Sequence, residues 1–541
     1  MNWHNAFRHG PHCPLGPMLL MVMMATGAVA FEPTHEDVPG VVIHFSPAAS
    51  GKYIGCPAIT VLPGGEYVAS HSFFGPEARH RTRASTLVFG STDRGQTWSK
   101  RSRIDGQFWS TFFVHDGSLY IMGTDKQWGD VVIRRSRDGG RTWTDPADEH
   151  SGRLLDDARY HSSSVPVVVH EGRLWRAMEG EDTWPARGPG TPHPYGAFVM
   201  SAPWGADLLR AKSWTRSNYQ RFDLSRVGKK PGDRSGGWRE GNIVVTAGGQ
   251  VINFLRIDDA GVDRADLLPV SADGRTIRID DENWGLIDFP GGRTKFTIYF
   301  DAVTARYWSL VNKQSDPDAE RNVLALVSSG DLKRWKVNTI VLRHRDRRHH
   351  AWQYVDWRFD GEDIVAASRT AWGDSHNFHD ANYLTFHRIE RFRELTGDDD
   401  ALWLPPSRPV VTDAFIVRHS GLEVAALEED VRAFGNRTYV WQRVPGELAG
   451  WRFLRTLGGE PVPITVEARR DATLRVATAP SQKGFHMEGW RPVERLSFIY
   501  TSPNRTPMVV FETSLRKGET IQVPQSTWTG GVVLIGPEPT R

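Results

Sequence analysis

Cysteine is almost missing from this chain of 541 residues: there are two, Cys13 and Cys56. Cys13 stands ahead of a short apolar run, Met18-Leu-Leu-Met-Val-Met-Met24, which follows Arg8 and nearby histidines and leads to the small residues Ala28-Val-Ala30. That order reads as a secretory signal over residues 1–30, cleaved before Phe31. Cleavage leaves Cys56 alone, so an intrachain disulfide is excluded and stability must come from the core. The apolar run is too short to span a bilayer, so membrane insertion is not expected. A charge excess is missing as well: 66 Lys and Arg face 64 Asp and Glu. No net field draws the chain to nucleic acid or an anionic membrane surface. The expectation is a secreted or periplasmic protein.

Helical periodicity is nearly absent too, and short apolar strands separated by Gly turns take its place. The clearest are paired. Pro57–Leu62 pairs with Tyr67–His71, and Thr111–His115 with Leu119–Thr124. Val165–His170 pairs with Leu174–Met178, and Ile243–Thr246 with Val251–Arg256. Phe296–Asp301 pairs with Tyr307–Asn312, and Tyr354–Phe359 with Ile364–Arg369. Gly64-Gly65, Asp116-Gly117, Glu171-Gly172, Gly248-Gly249 and Asp360-Gly361 fill hairpin turns. The repetition predicts an all-β, radially repeated fold of six blades, or seven if one is built from less obvious strands. Val41-Val-Ile-His-Phe45 lacks a near partner and is expected to close the ring by completing the last blade. A Pro-rich hinge at Leu402–Pro409 ends the repeats. The expected divisions are a propeller over 31–400 and a small β-sandwich over 410–541.

The stretch Ser91-Thr-Asp-Arg-Gly-Gln-Thr-Trp98 returns as Ser136-Arg-Asp-Gly-Gly-Arg-Thr-Trp143 and, frayed, as Ser328-Ser-Gly-Asp-Leu-Lys-Arg-Trp335. Asp accepts turn amides and Gly takes the positive-φ place. These copies resemble the Asp-box (BNR repeat) of sialidase-like β-propellers. In that family the box joins the third and fourth strands of a blade, on the face opposite the active site. The 21 tryptophans read as packing residues of boxes and blades and as sugar-stacking platforms, two roles that are compatible.

In such a blade, residues before the first strand and after the second converge on one rim of the central channel, with the loop from second to third strand. Blade one brings Cys56 and His71, and blade two Ser110 and Thr124-Asp125-Lys126. Blade three brings His161, Glu179, Glu181 and Asp182. Blade four brings Trp238, Glu240, Asn242 and Arg256, and blade five Lys295 and Asn312. Blade six brings Gln353, Tyr354 and Arg369, with the loop His376-Asn-Phe-His379-Asp380. Apolar strands ending in ionisable groups at one concavity mark a candidate active site.

Residue by residue, the sialidase resemblance is partial. Tyr53-Ile-Gly-Cys-Pro57 lacks the Arg that opens blade one in sialidases, and Ser70-His71-Ser72 stands where their acid/base Asp is found. Trp238-Arg-Glu240 and Arg256 look like the sialidase Glu and second Arg, and Tyr354-Val-Asp356 with Arg369 like the nucleophilic Tyr region. The run Tyr53 to His71 also resembles propeller enzymes that act on L-rhamnose-α-1,4-D-glucuronate caps, described as α-L-rhamnosidases and as lyases. That resemblance implies a polysaccharide lyase with His71 as general base. Arg256 and Arg369 would clamp the uronate carboxylate as enolate charge develops, and Tyr354 or His379 would serve as leaving-group acid.

The alternatives are sialidase-like hydrolysis by Tyr354 and Glu240, and a non-catalytic lectin. His161, His379, Asn242, Trp238, Lys295 and Arg369 are the substrate-binding candidates, for an oligo- or polysaccharide. Each has a plainer reading. His71 suits a hydrogen-bonded strand end, Glu240–Arg256 a structural ion pair, and Tyr354 a packing role. His376 and His379 offer ligands for a divalent metal, but His- and Asp-rich loops are ordinarily solvated, and no cofactor is expected.

Overall fold

The computed structural model describes residues 35–181, 196–228, 237–258, 263–313, 321–395, 409–419, 422–435, 437–459, 461–480, 486–526 and 528–537. The expected signal segment, Asp182 and most of the Pro-rich hinge lie outside them. Among the described residues no helix is long and apolar enough to cross a membrane.

Period-two alternation makes each strand two-faced. In Tyr67–Phe74, Tyr67, Ala69 and Phe73 pack with Val365, Leu384 and Phe386 of blade six, while Val68 packs with Phe112 and Ile121 of blade two. The same arrangement recurs between blades two and three, three and four, four and five, and five and six. Six apolar layers thus glue six antiparallel sheets into a ring. Each buried large apolar side chain in them contributes roughly 1.5–3 kcal/mol.

Blade one is Tyr53–Val61, Tyr67–Phe74, Ser85–Ser91 and Ser99–Asp105, hydrogen-bonded in that order. Blade two runs Phe108–His115, Ser118–Thr124, Val131–Ser136 and Arg153–Leu155. Blade three is irregular: Arg159–His161 and Val167–His170 both pair with Arg173–Glu181, then Gly196–Pro203. Blade four is Trp238–Val245, Val251–Ile257, Arg264–Pro269 and Gly285–Asp288. Blade five is Thr297–Asp301, Arg306–Asn312, Val323–Ser329 and Trp335–Arg343. Blade six is Ala351–Asp360, Asp363–Ala371 and Tyr383–Ile389, and Val41–Phe45 adds as its outer strand. A strand from the start of the ring thereby closes its last sheet.

Ser and Asp tie the turn between third and fourth strands. Ser91 Oγ donates to Asp93 Oδ1 and accepts from Gly95 N, both at 2.8 Å, and Asp93 accepts from Thr97 N at 2.9 Å. Ser136 and Asp138 repeat this around Gly140 and Thr142. In blade five Ser329 and Asp331 do the same work, with Leu332 at φ 64°. Blade four has a fourth turn of this kind, Ser271-Ala-Asp273-Gly-Arg-Thr276, which the sequence reading missed because no Trp closes it.

The C-terminal strands form a sandwich. A sheet of Val410–Val411, Phe415–Arg418, Thr465–Ala468 and Thr520–Gln522 faces a seven-stranded sheet that includes Trp451–Arg455, Ala472–Thr478 and Val532–Pro537. Val417 and Val466 meet Leu454, Val476 and Val533 between them. A buried charged cluster joins the sandwich to blade six. His350 bonds Asp346 through Nδ1 at 3.0 Å and Glu423 through Nε2, and Glu423 also takes Arg455 at 3.1 Å and the amide of Gly373 at 3.2 Å. Burial disfavours charge on His350, but Glu423 and Asp346 overcome it and raise its pKa to about 9.

Candidate active site

Four of the six blades carry one irregularity in the first strand. Two residues bulge against one on the second strand: Gly55-Cys56 in blade one, Trp109-Ser110 in two, Glu240-Gly241 in four and Tyr354-Val355 in six. The leading residue has φ 44° at Trp109, 53° at Glu240 and 54° at Tyr354. Left-handed backbone under a side chain costs about 1–3 kcal/mol and persists only where the surroundings over-determine it. Bulges re-aim side chains. The first strands therefore begin earlier than the sequence suggested, and Cys56, Trp109, Ser110 and Glu240 lie within them rather than ahead of them, while Tyr354 lies within its strand as expected. At the blade-one position Gly55 supplies no side chain, and a Cβ there would meet Ser72 O at 2.6 Å.

Glu240 and Arg256 lie on adjacent strands of blade four. Arg256 donates to Glu240 Oε2 at 2.5 Å, to Asp258 Oδ1 at 2.8 Å and to Arg293 O at 2.9 Å. Arg239 pairs with the other side of Asp258 at 3.1 Å. Burial pushes the Glu240 pKa up, but Arg256 and then His161 more than offset it, and the carboxyl sits below its ordinary value. It is ionised at neutral pH, with Oε1 unbonded among the described residues. His161 bonds Glu179 at 2.9 Å, and Glu179 accepts the amide of Gly241 at 3.0 Å, which fixes the bulge under Glu240.

Tyr354 in blade six lies against two guanidiniums. Arg369 Cζ is 4.9 Å from its ring centre and Arg321 Cζ is 5.3 Å away. Such contacts contribute about 0.5–2 kcal/mol. Arg321 donates to Gln353 at 2.5 Å, and Arg369 donates to the carbonyl of His379. Arg369 Nε is buried without a partner. Neither arginine has a direct ion pair with a carboxylate among the described residues. Burial, with a further push from Arg321, lowers the Arg369 pKa to about 10, so it stays charged at pH 7. Tyr354 is close enough to Arg256 to raise that group's pKa, after Glu240 and Asp258.

Beside Arg369, His379 bonds Asp380 Oδ1 at 2.8 Å and His376 bonds Asp380 Oδ2 at 2.7 Å. Burial and then Arg369 lower the His379 pKa to about 4, which leaves a neutral imidazole at the rim. Among the described residues no group of three or more His, Cys, Asp or Glu is arranged to hold a metal.

Several expected members stand elsewhere. His71 is 0% exposed. It shares the face of Tyr67, Ala69 and Phe73, and so enters the layer between blades one and six. There it bonds His44 at 3.0 Å and lies against Phe73 and Phe89. Burial, then His44, lowers its pKa to about 3. A general base needs access to substrate, and this imidazole has none. Trp238 is wholly buried, its indole donating to Asp266 at 3.1 Å. Asn242 is a cross-blade tie, accepting the amide of Ile298 at 3.0 Å and donating to Phe296 O at 3.3 Å. Lys295 is buried, donating to Thr297 at 2.6 Å and to Val355 O at 2.7 Å. These three hold blades together rather than facing a ligand.

The sequence reading missed Arg321, Asp258, Trp109 and Trp128. Asp258 directly follows a second strand. Arg321 and Trp128 lie in second-to-third strand connections, which the convergence rule already assigned to this rim. Trp109 had no signal, since it depends on the bulge.

The chain matches no protein-family model and no curated protein. Solved structures do resemble it. An α-L-arabinanase of Penicillium chrysogenum complexed with arabinobiose is 12% identical, with a TM-score of 0.42 over 66% of this chain and 98% of that one. A Trypanosoma rangeli sialidase in complex with sialic acid is 12% identical, with a TM-score of 0.44 over 93% of each chain. A Fusarium graminearum α-L-arabinofuranosidase with arabinobiose is 10% identical, with a TM-score of 0.42 over 65% of this chain and 97% of that one. At such identities and scores the chemistry has to be read from this chain's own residues.

Proposed function

We propose that this protein is an exported carbohydrate-active enzyme that cleaves a terminal glycosidic bond at an acidic sugar. The observation that carries the reading is the placement of Tyr354. Its backbone is held at positive φ, its ring lies against two guanidiniums that have no ion-paired carboxylate among the described residues, and it neighbours the Glu240–Arg256 pair. Arg321 and Arg369 suit a substrate carboxylate, because planar forks grip it bidentately. Tyr354 Oη attacks the anomeric carbon while its proton passes to Glu240, and the bond to the leaving oxygen breaks, that oxygen taking a proton from solvent water. Water then attacks the same carbon and releases its proton to solvent, the bond from that carbon to the tyrosine oxygen breaks, and Glu240 returns its proton to the tyrosine. Arg256 keeps Glu240 ionised to accept that proton. The bare Gly55 position removes the third arginine that sialidases place in blade one, so the acid recognised need not be sialic acid.

A second reading is β-elimination at a 4-linked uronate such as the rhamnose–glucuronate cap. What favours it is the neutral His379 imidazole, oriented by Asp380 beside Arg369. In that reaction His379 takes the proton α to the carboxylate, the place first expected for His71.

Incubation with 4-methylumbelliferyl sialoside, 4-methylumbelliferyl glucuronide and gum arabic separates the readings. Hydrolysis releases fluorophore or sugar, elimination creates a near-ultraviolet chromophore, and a lectin yields neither. Tyr354→Phe should lower hydrolytic kcat by at least about a hundredfold. An unaltered rate refutes the tyrosine's role.

A further inference from the structure

Blade two carries the same bulge as the blades that bring Glu240 and Tyr354, yet its leading residue, Trp109, has no acid–base chemistry. Its backbone is nonetheless held at φ 44°, where a bulky side chain is strained. The half-buried indole meets Trp128 edge-on at 5.0 Å and 74°, and the His161 ring at 4.4 Å. Trp128 comes from the second-to-third strand connection of blade two and also meets His161, at 5.5 Å. His161 is in turn close enough to lower the Glu240 pKa. The connection is braced from blade one, since Gln127 donates its amide to His80 O at 2.8 Å and accepts from Arg81 at 3.0 Å. An aromatic shelf thus packs on His161, the imidazole that also acts on the Glu240 carboxylate.

We propose that Trp109 and Trp128 form a stacking platform for a second pyranose, the leaving-group sugar, while Arg321 and Arg369 hold the acidic one. This rests on the reading of the site as one that cleaves an acidic glycan. The chemistry of the occupant follows from the groups present. An indole face suits the C–H side of a sugar ring, and the shelf itself offers no charge to a second acidic residue. The substrate class is then an acidic sugar linked to a neutral one, bound across blades two, four and six.

The test uses the full chain, 3′-sialyllactose and gum-arabic oligosaccharides as probes, and Trp109→Gly, which accepts positive φ, with Trp109→Phe as the ring-retaining control. Binding is read by saturation-transfer NMR and titration on the Tyr354→Phe background, so it needs no turnover. The platform predicts about a tenfold loss of oligosaccharide affinity in Trp109→Gly and a smaller loss in Trp109→Phe. It also predicts no change in affinity for the free acidic monosaccharide, which does not reach the platform. Should Trp109→Gly fail to fold, Trp128→Phe and Trp109→Phe are read the same way. Unchanged oligosaccharide affinity in the Trp109 and Trp128 variants, or no binding of any probe by the parent, overturns the platform. Binding that depends on Trp109 without turnover by the unmodified chain overturns the cleavage reading and leaves the platform standing.

Discussion

Replacing Arg256 by Met should strand a carboxylate that has nowhere to go. Arg256 makes three hydrogen bonds, two of them to carboxylates. Asp258 keeps Arg239 and is 30% exposed at its side chain, so it can hydrate. Glu240, with a side chain 2% exposed, cannot. Removing one partner of a buried pair costs about 3–5 kcal/mol, chiefly through the charge left behind. Urea midpoints followed by tryptophan fluorescence would read this.

The pH dependence carries the sign. Without Arg256, burial of Glu240 is no longer offset, and its folded pKa rises above the ordinary 4.5. The folded state then binds a proton that the unfolded state has released, so stability falls as pH rises. The deficit against the parent should be largest near neutral pH and shrink toward pH 5. Arg256→Met with Glu240→Gln should recover most of it. A deficit below about 1 kcal/mol at pH 7, the range of an exposed pair, or a double variant as unstable as the single one, would refute the buried-pair account.

Two more outcomes are expected. His71→Ala, which empties a fully packed site, should lower stability by about 2–4 kcal/mol, while His71→Phe keeps kcat within about twofold; a collapse of kcat in a folded His71→Phe returns that residue to the chemistry. His350, raised from 6.5 to about 9, contributes stability that is fully present below pH 6.5 and lost as pH rises through 9. Thermal melts of His350→Gln should therefore lie furthest below the parent near pH 6 and converge toward pH 9, and a constant gap would refute the linkage.

The all-β repeat, the six blades, the closing strand Val41–Phe45 and the C-terminal sandwich were legible in the sequence. They rest on local signals: period-two alternation, hairpin glycines and Ser-x-Asp turns act over a few residues. The same alternation also contained the correction for His71, since it follows Tyr67 and Ala69 in step onto the face that meets blade six. Trp238, Asn242 and Lys295 were misassigned for another reason. Nearness to a strand end places a residue along the channel but does not say which way its side chain turns. At the rim that direction was decided in four blades by bulges, each an extra residue in a first strand, and no propensity marks them. They turn Trp109, Glu240 and Tyr354 inward at a strained φ, and only packing against neighbouring blades holds such backbone in place. Local patterning along the chain set the sheets and their order; closure of the ring selected which polar side chains meet.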